Sequence, residues 1–191
     1  WYRHSDKVGV ALAQNNLGIM YENGEGVIED DKEAVKWYRL AAEQGIAEAQ
    51  YKLALMYKGG EGVIEDWNQA VKWYRFAAEQ GDNRAQNNLG FMYDNGLGVV
   101  EDDKEAVRWY RLAAEQGNII AQSNLGFMYD SGLGVIEDDK EAVEWYRLAA
   151  NQGNAIAQTN LGIMYENGEG VREDDKKAVK WYRLAAEQGN A

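Results

Sequence analysis

The residue types that can act as nucleophiles, general bases or metal ligands are scarce in this chain. It contains one histidine, His4, and no cysteine. His4 has no serine or aspartate at a recurring spacing that could complete a catalytic triad. We therefore expect His4 to be an exposed residue rather than a base. The absence of cysteine excludes disulfides and thiolate metal sites, and leaves the redox compartment open.

Acidic pairs and glycine-rich loops recur, and each could suggest chemistry. The run from Asp94 to Glu105 has acids at both ends, like a calcium loop, but it has glycine at the third and fifth positions, where ligands are needed. The pair Asp102-Asp103 lies where a helix is expected to begin, and the helix dipole favours negative charge there. The G-x-G loops follow helices rather than strands, so they indicate turns and not phosphate sites. The sequence therefore predicts no enzyme, no cofactor and no metal.

The elements that must position any site come from one repeated segment. The pair Trp-Tyr recurs at steps of 36 residues, at positions 1, 37, 73, 109, 145 and 181. A fixed period of this size is typical of a solenoid, in which each repeat contacts mainly its neighbours. We divide the chain into a partial repeat, 1–9, which aligns with the end of a second helix, and five full repeats: 10–45, 46–81, 82–117, 118–153 and 154–189.

The third repeat illustrates the predicted helix pair. Ala85, Leu89, Met92 and Tyr93 recur at helical spacing and predict a first helix, helix A. A loop with two glycines follows, and then Asp102 with Glu105 three residues later, which predicts a capping box at the start of helix B. The box recurs as Asp30/Glu33, Asp66/Gln69 and Asp138/Glu141, whereas the fifth repeat has Asp174/Lys177, so we expect a broken box and more fraying there.

The end of each helix B is marked by a glycine that can adopt a left-handed conformation cheaply: Gly45, Gly81, Gly117, Gly153 and Gly189. Because so few residues then lead to the next helix A, the helices must pack antiparallel. The repeated Trp, Tyr and Met are read as core. The predicted fold class is all-α, an α/α superhelical solenoid of five 36-residue helix-turn-helix repeats.

Charge limits the class of partner. The net charge is −12, whereas nucleic acids and anionic membrane surfaces are bound by basic faces. No apolar run of 18 residues exists, so nothing is expected to insert into a membrane. The chain begins at Trp1 without an initiator Met or a signal peptide, which indicates a fragment of a longer protein. Its location, whether bacterial periplasm, secreted or cytoplasmic, stays open.

The signature A-x-x-x-L-G-x-M-Y-x-x-G-x-G-V-x-x-D-x-x-x-A-V-x-W-Y-x-x-A-A-x-x-G spans Ala85 to Gly117 in the third repeat. It resembles the Sel-one-like repeat, a relative of the tetratricopeptide repeat, and the resemblance covers nearly the whole chain. Ala54 departs from the glycine of this pattern and Trp67 from its aspartate. The resemblance implies a right-handed superhelix and an adaptor that binds proteins or peptides, as in signalling, in endoplasmic-reticulum degradation complexes and in bacterial proteins that meet host cells.

The positions that differ among the repeats point to one face of helix A, because offsets of 0, 3, 7 and 10 share a helix face. By resemblance to tetratricopeptide repeats, this face lines the concave groove, and the asparagine two places before the glycine holds backbone or carboxylate groups of a peptide. The predicted groove residues are Glu48, Tyr51, Lys52, Leu55, Lys58, Arg84, Asn87, Asn88, Phe91, Ile120, Ser123, Asn124, Phe127, Asp130 and Asn160.

The predicted groove has a basic end, an aromatic middle and an acidic end, formed by Lys52, Lys58 and Arg84 with Tyr51, by Phe91 and Phe127 with Ile120, and by Asp130 and Glu166. These suit an extended peptide with a negative segment and apolar anchors. The alternative is a generic solvated groove whose aromatic residues only pack on their neighbours. A second hypothesis is a structural module that self-associates end to end, because the terminal repeats carry no polar cap. An enzyme or small-molecule binder acting in the groove is a third class that no residue recommends.

Overall fold

The computed structural model describes the backbone of residues 2–190 and the side chains of residues 7–189. Within that range the chain is all-α, which confirms the predicted helical-repeat solenoid class. The helices are α1 (Tyr2–Asn23), α2 (Asp31–Glu43), α3 (Ala47–Gly59), α4 (Trp67–Glu79), α5 (Asn83–Asp94), α6 (Asp103–Glu115), α7 (Ile119–Ser131), α8 (Asp139–Asn151), α9 (Ala155–Asn167) and α10 (Asp175–Glu187), followed by a 3-10 turn at Gln188–Asn190. We call α1, α3, α5, α7 and α9 the A helices and the others the B helices.

The start of each B helix is capped as predicted, but only one half of the capping box forms. The Asp102 carboxylate accepts from the backbone N–H groups of Lys104 and Glu105. The reciprocal bond is absent at Asp30, because the N–H of this residue donates to the Tyr21 carbonyl at 3.0 Å instead. The glutamate of the box is therefore dispensable.

The fifth repeat shows the consequence. Asp174 still accepts from the N–H of Lys177 at 3.1 Å, and the Lys177 ammonium lies 3.4 Å from the same carboxylate. Lys177 has no acceptor for the reciprocal bond of the box, but the aspartate half of the cap is kept.

Two chain ends differ from the predicted pattern. Residues 2–9 do not end a separate helix B, because α1 continues through Gly9 without a turn. At the other end Gly189 lies in the 3-10 turn and not in the left-handed region, whereas the four internal glycines, Gly45, Gly81, Gly117 and Gly153, have φ between +87° and +94° as expected. His4 and Trp1 lie outside the residues whose side chains are described.

The chain divides into two compact bodies, one ending at Glu101 and the other beginning at Asp102. In the N-terminal body consecutive helices from α1 to α5 pack on each other, and in the C-terminal body those from α6 to α10 do the same. The reading of the repeated Tyr and Met as core is confirmed by the side chains of Tyr38, Tyr74, Tyr110, Tyr146, Met56, Met92, Met128 and Met164, which are at most 1% exposed.

A tyrosine ring and a glycine make a close contact in the helix pairs of the first, fourth and fifth repeats. A Cβ added at Gly126 in α7 would lie 2.7 Å from the Tyr146 ring in α8, and one at Gly18 would lie 2.6 Å from the Tyr38 ring. Real Cβ atoms do not approach so closely, so glycine lets ring and helix make direct contact. Ala54 takes this place in the second repeat, and its methyl group excludes the same ring position for Tyr74.

Neighbouring repeats are joined by polar side chains that recur at fixed offsets. Arg39 of α2 donates to the Tyr57 hydroxyl of α3 at 2.6 Å, and Arg147 of α8 donates to that of Tyr165 at 3.4 Å. Buried Gln122 adds a second link, since its amide donates to the Ala114 carbonyl of the preceding repeat at 3.1 Å and accepts from Gln152 of its own repeat at 2.7 Å. The invariant Arg and Gln of the repeat are thus structural.

In the second to fifth repeats, the second glycine of the G-x-G loop approaches the backbone of the preceding repeat. A Cβ on Gly134 would lie 2.3 Å from the Asp103 carbonyl oxygen, whereas one on Gly132 in the same loop meets nothing closer than 3.3 Å. Both have nearly the same positive φ, +68° and +66°. Substitution of Gly132 therefore tests the cost of a positive φ alone, whereas substitution of Gly134 tests that cost together with a backbone collision.

We predict that Gly134→Ala destabilises the protein more than Gly132→Ala. Each substitution forces alanine into the left-handed region, at a cost of about 1–2 kcal/mol, and Gly134→Ala adds an overpacking term of about 1–3 kcal/mol. Urea unfolding of the two variants measures the difference. Equal losses of stability would show that the loop does not need this close approach.

Candidate functional site: the exposed face of the A helices

The predicted groove residues occupy five positions in each repeat, the third, sixth, seventh, tenth and thirteenth, all on the A helices. The third and tenth positions project furthest: Phe91 is 40% exposed, Phe127 48% and Ile120 57%. Asn88, Asn124 and Asn160, at the seventh position, are half-buried. We call the surface formed by the third, seventh, tenth and thirteenth positions the A-helix face.

The sixth position is buried in the first, third and fourth repeats and exposed in the fifth, at Thr159, so only the last repeat adds it to this face, which corrects one part of the prediction. Asn87 is 7% exposed and Ser123 is 6% exposed. The reason is helical geometry, since the sixth residue lies one turn before the ninth, the Gly or Ala that packs on the helix-B tyrosine. Tyr51, the sixth residue of the second repeat, is half-buried, with its ring centroid 5.9 Å from that of Tyr74. Variation at this position therefore reflects packing as well as recognition.

The predicted basic end is largely neutralised within the N-terminal body. The Lys52 ammonium of α3 lies 2.9 Å from both carboxylate oxygens of Glu22 in α1. Arg84 of α5 pairs with Glu48 of α3 and lies 2.6 Å from Asp82. Neither cation is available to a ligand without breaking an existing ion pair.

Arg84 is held in place by more than its ion pairs. Its guanidinium carbon lies 4.2 Å from the centroid of the Tyr51 ring, within cation–π range. The hydrogen bond and charge of Asp82 raise the pKa of Arg84. Burial acts to raise the pKa of Asp82, but hydrogen bonds from Arg84 and from the N–H of Ala85 outweigh it and lower that pKa. Arg84, Tyr51, Glu48 and Asp82 thus form a bridge between α3 and α5.

The thirteenth position serves the helix-B tyrosine of its own repeat. Tyr38 donates its hydroxyl proton to Glu22, Tyr146 to Asp130 at 3.4 Å, and Tyr182 to Glu166 at 2.6 Å. We call each tyrosine hydroxyl and its carboxylate a tyrosine cluster. Burial raises the pKa of Asp130, with a hydrogen bond from Tyr146 opposing the rise. The predicted acidic end is therefore committed in part to internal contacts.

The second repeat breaks the tyrosine cluster. Its thirteenth residue is Lys58, so no carboxylate stands where Glu22 or Asp130 would be. Tyr74 is fully buried, and its hydroxyl oxygen makes no hydrogen bond. The Asn88 amide is near enough to oppose the rise in the pKa of Tyr74 that burial causes, but its geometry falls short of a hydrogen bond. Lys58 is half-buried, and its ammonium lies 5.9 Å from the centroid of the Phe91 ring.

The A-helix face of the C-terminal body is mainly apolar. Ile120 and Phe127 of α7 are joined by Ile156 of α9, which is 67% exposed, and Ile163, which is 40% exposed. Thr159 lies between the last two on α9 and is also exposed. Large apolar side chains that recur at the same positions of neighbouring repeats mark an interaction surface better than isolated ones do.

A second apolar row was not identified from the sequence. The second residue of the Val-Ile or Val-Val pair after each G-x-G loop is almost fully exposed: Ile28, Ile64 and Ile136 are each 90% exposed and Val100 is 87% exposed. We call these four residues the loop edge. The recurring apolar pair was a visible signal, but the sequence alone does not tell which member of the pair is turned inward.

No group of three or more His, Asp or Glu side chains among the described residues is arranged to hold a metal ion. In the same part of the chain, no helix combines the length and apolar character needed to cross a membrane.

Comparison with known proteins identifies the repeat. The Sel1 repeat profile matches five times, at residues 11–46, 47–82, 83–118, 119–154 and 155–190, one residue later than the repeats defined above. A search of curated proteins returned no match.

Solved structures give the same result. The structure of c5321, a protective antigen of uropathogenic Escherichia coli, aligns with a TM-score of 0.91 and 43% identity over 100% of this chain. A Sel1 repeat protein from Oxalobacter formigenes aligns with a TM-score of 0.89 and 40% identity over 95% of the chain. This chain spans 41% of the length of the first protein and 74% of the second.

The broken cluster makes a prediction about stability. Tyr74→Phe removes a buried hydroxyl that has no partner, so it should raise the unfolding free energy by about 1 kcal/mol. Tyr38→Phe removes a hydroxyl bonded to a carboxylate and should lower it by about 1.5–3 kcal/mol. Chemical denaturation of both variants, which lie in the same body, compares them directly. A loss at Tyr74 equal to that at Tyr38 would contradict the assignment.

Proposed function

The chain belongs to the Sel1 repeat family, whose members are generally protein-interaction scaffolds, and from this premise we propose that it binds a protein or peptide partner on its A-helix face. The main support is the apolar surface of α7 and α9. Four large side chains there, Ile120, Phe127, Ile156 and Ile163, stay 40% to 67% exposed while the opposite sides of both helices are fully buried. Covering such a surface favours association.

The partner is proposed to be a protein or peptide rather than nucleic acid. The net charge is −12, and the cations of the A-helix face at Lys52 and Arg84 already pair with Glu22 and Glu48. A phosphate backbone would need several uncommitted cations. The role is that of a non-catalytic scaffold, as in Sel1 repeat solenoids generally.

The proposed partner would contact two kinds of surface. The apolar residues of α7 and α9 would accept the anchoring side chains of a helix or an extended segment. In the N-terminal body the paired charges around Arg84 and Lys52 would set the position of polar groups more than they would add affinity. Binding energy should therefore concentrate on a few apolar side chains.

A second candidate function, self-association, is favoured by α10. Val179 is 47% exposed, although the equivalent Val143 of α8 is 1% exposed. Ala186 is also exposed, whereas its counterpart Ala150 is 2% exposed. The side of α9 and α10 that would receive a further A helix could receive a second copy of this chain or another repeat.

We predict that the double substitution Phe127→Ser and Ile163→Ser weakens partner binding by at least tenfold, because it removes two apolar anchors without touching the core. The partner obtained by capture with the wild-type chain is titrated against each variant by calorimetry. Ile28→Ser with Ile64→Ser is the matched control, since it removes two more exposed apolar residues from the loop edge. If the control loses affinity and the A-helix variant keeps it, the proposed face is wrong.

Self-association makes a separate prediction. Sedimentation of the wild-type chain should show a concentration-dependent dimer that Val179→Glu abolishes, because the charge would be buried in the contact. Ile136→Glu, which places the same charge on the loop edge, should leave the dimer intact. A chain that is strictly monomeric at high concentration would contradict this second function.

A further inference from the structure

We propose that the second repeat has a receptor position for a carboxylate of the partner, formed by the Tyr74 hydroxyl, the Lys58 ammonium and the Asn88 amide. This inference rests on the proposed function and names the chemistry that its A-helix face would recognise. It begins from the comparison of one repeat with the others.

The other described repeats show what the position holds. Glu22, Asp130 and Glu166 each accept a hydrogen bond from the tyrosine sixteen residues later in the chain. In the first repeat the carboxylate also accepts from Lys52, the seventh residue of the next repeat, at 2.9 Å. The carboxylate of the first repeat therefore lies between a tyrosine hydroxyl and a donor from the neighbouring A helix.

The second repeat keeps the donors and lacks the acceptor. Tyr74 supplies the phenol. Asn88 is the seventh residue of the third repeat and takes the place, relative to Tyr74, that Lys52 of the second repeat takes relative to Tyr38. Lys58 replaces the carboxylate with an ammonium group, which has no acceptor to offer. None of the ion pairs among the described side chains involves Lys58. A buried hydroxyl without a partner, and a cation without an ion pair at the position that carries its acceptor in other repeats, fit an anionic acceptor from outside the chain.

Access to the hydroxyl requires a side-chain movement, because the oxygen itself is covered. Lys58 is the residue that can make it: the side chain is long, unbranched and not held by a carboxylate. The Lys58 ammonium lies 5.9 Å from the centroid of the Phe91 ring, and a turn away from that ring would bring it to an entering carboxylate. The ring of Phe91, 40% exposed, then lies beside the ligand.

A carboxylate can come from an acidic side chain or from the end of a chain, and the experiment separates them. Acetyl-Gly-Glu-Gly-amide carries only the side-chain carboxylate, acetyl-Gly-Gly-Gly with a free terminus carries only the terminal one, and acetyl-Gly-Gln-Gly-amide carries neither. Each is titrated into the labelled protein at constant ionic strength while the side-chain NMR signals of Asn88 and Lys58 are followed. We expect saturable shifts with at least one carboxylate peptide and none with the glutamine peptide.

Two variants test whether the cluster is the site. Lys58→Glu supplies the missing carboxylate within the chain, as in the first and fifth repeats, so it should raise the melting temperature and abolish the shift of the Asn88 signal. Tyr74→Phe should weaken binding at least threefold and leave the fold intact. Lys32→Glu, with the same charge change at an exposed position of α2, should bind as the wild type does. Equal responses from Lys58→Glu and Lys32→Glu would overturn the proposal, as would the absence of any saturable shift.

These experiments distinguish failure of the carboxylate position from failure of the proposed scaffold function. If Lys58→Glu still binds the captured partner with wild-type affinity while the Phe127 and Ile163 variant does not, the scaffold function stands and the carboxylate position is wrong. If the peptides shift the Asn88 signal but no partner requires the A-helix face, the carboxylate position stands and the scaffold proposal is wrong.

Discussion

The contact between a helix-B tyrosine and the ninth residue of helix A is the constraint on which the rest of the structure depends. The ring lies where a Cβ would be 2.6–2.7 Å away at Gly18 and Gly126, so the pair of helices approaches as closely as a residue without a side chain allows. The same ring is fully buried and carries a hydroxyl at its far end. That hydroxyl needs an acceptor on helix A, which fixes the thirteenth position as acidic. One aromatic side chain thus sets both the distance between the helices and a polar residue on the exposed face.

This constraint explains why the second repeat differs at two places together. Ala54 stands where the other repeats have the glycine that meets the tyrosine ring, and Lys58 stands where others have the acceptor of its hydroxyl, so both changes lie at the same tyrosine. The neighbouring contacts are adapted to them, since the Tyr51 ring lies against Tyr74 and Arg84 lies over Tyr51. A repeat that gives up an internal hydrogen bond loses stability that the other repeats keep. Such a loss is typical of positions used for recognition.

Much of the fold could be predicted from the sequence, because a 36-residue period repeats each local signal five times. The tyrosine and methionine core, the aspartate caps and the internal glycine turns are all local or periodic features. The reciprocal half of the capping box could not be predicted, since the Asp30 N–H is taken by a carbonyl of the preceding helix. The continuity of α1 through Gly9 was not revealed by the alignment with 37–45.

The site was predicted less well, because variation among repeats does not distinguish exposure from adapted packing. The third and tenth positions are exposed as expected at Ile120 and Phe127, but Asn87 and Ser123 are buried. Lys52 and Arg84 looked like a basic end, yet their carboxylate partners lie 30 and 36 residues away along the chain. Such pairs are visible only when the register of neighbouring helices is known.

The central claim is that the scaffold is held by the invariant tyrosines while recognition takes place on the A-helix face. Methyl NMR of isoleucine-labelled protein during titration with its partner tests this most directly, because isoleucines mark both candidate surfaces. The account predicts that the signals of Ile120, Ile156 and Ile163 shift and those of Ile28, Ile64 and Ile136 do not. Shifts confined to Ile28, Ile64 and Ile136 would contradict it.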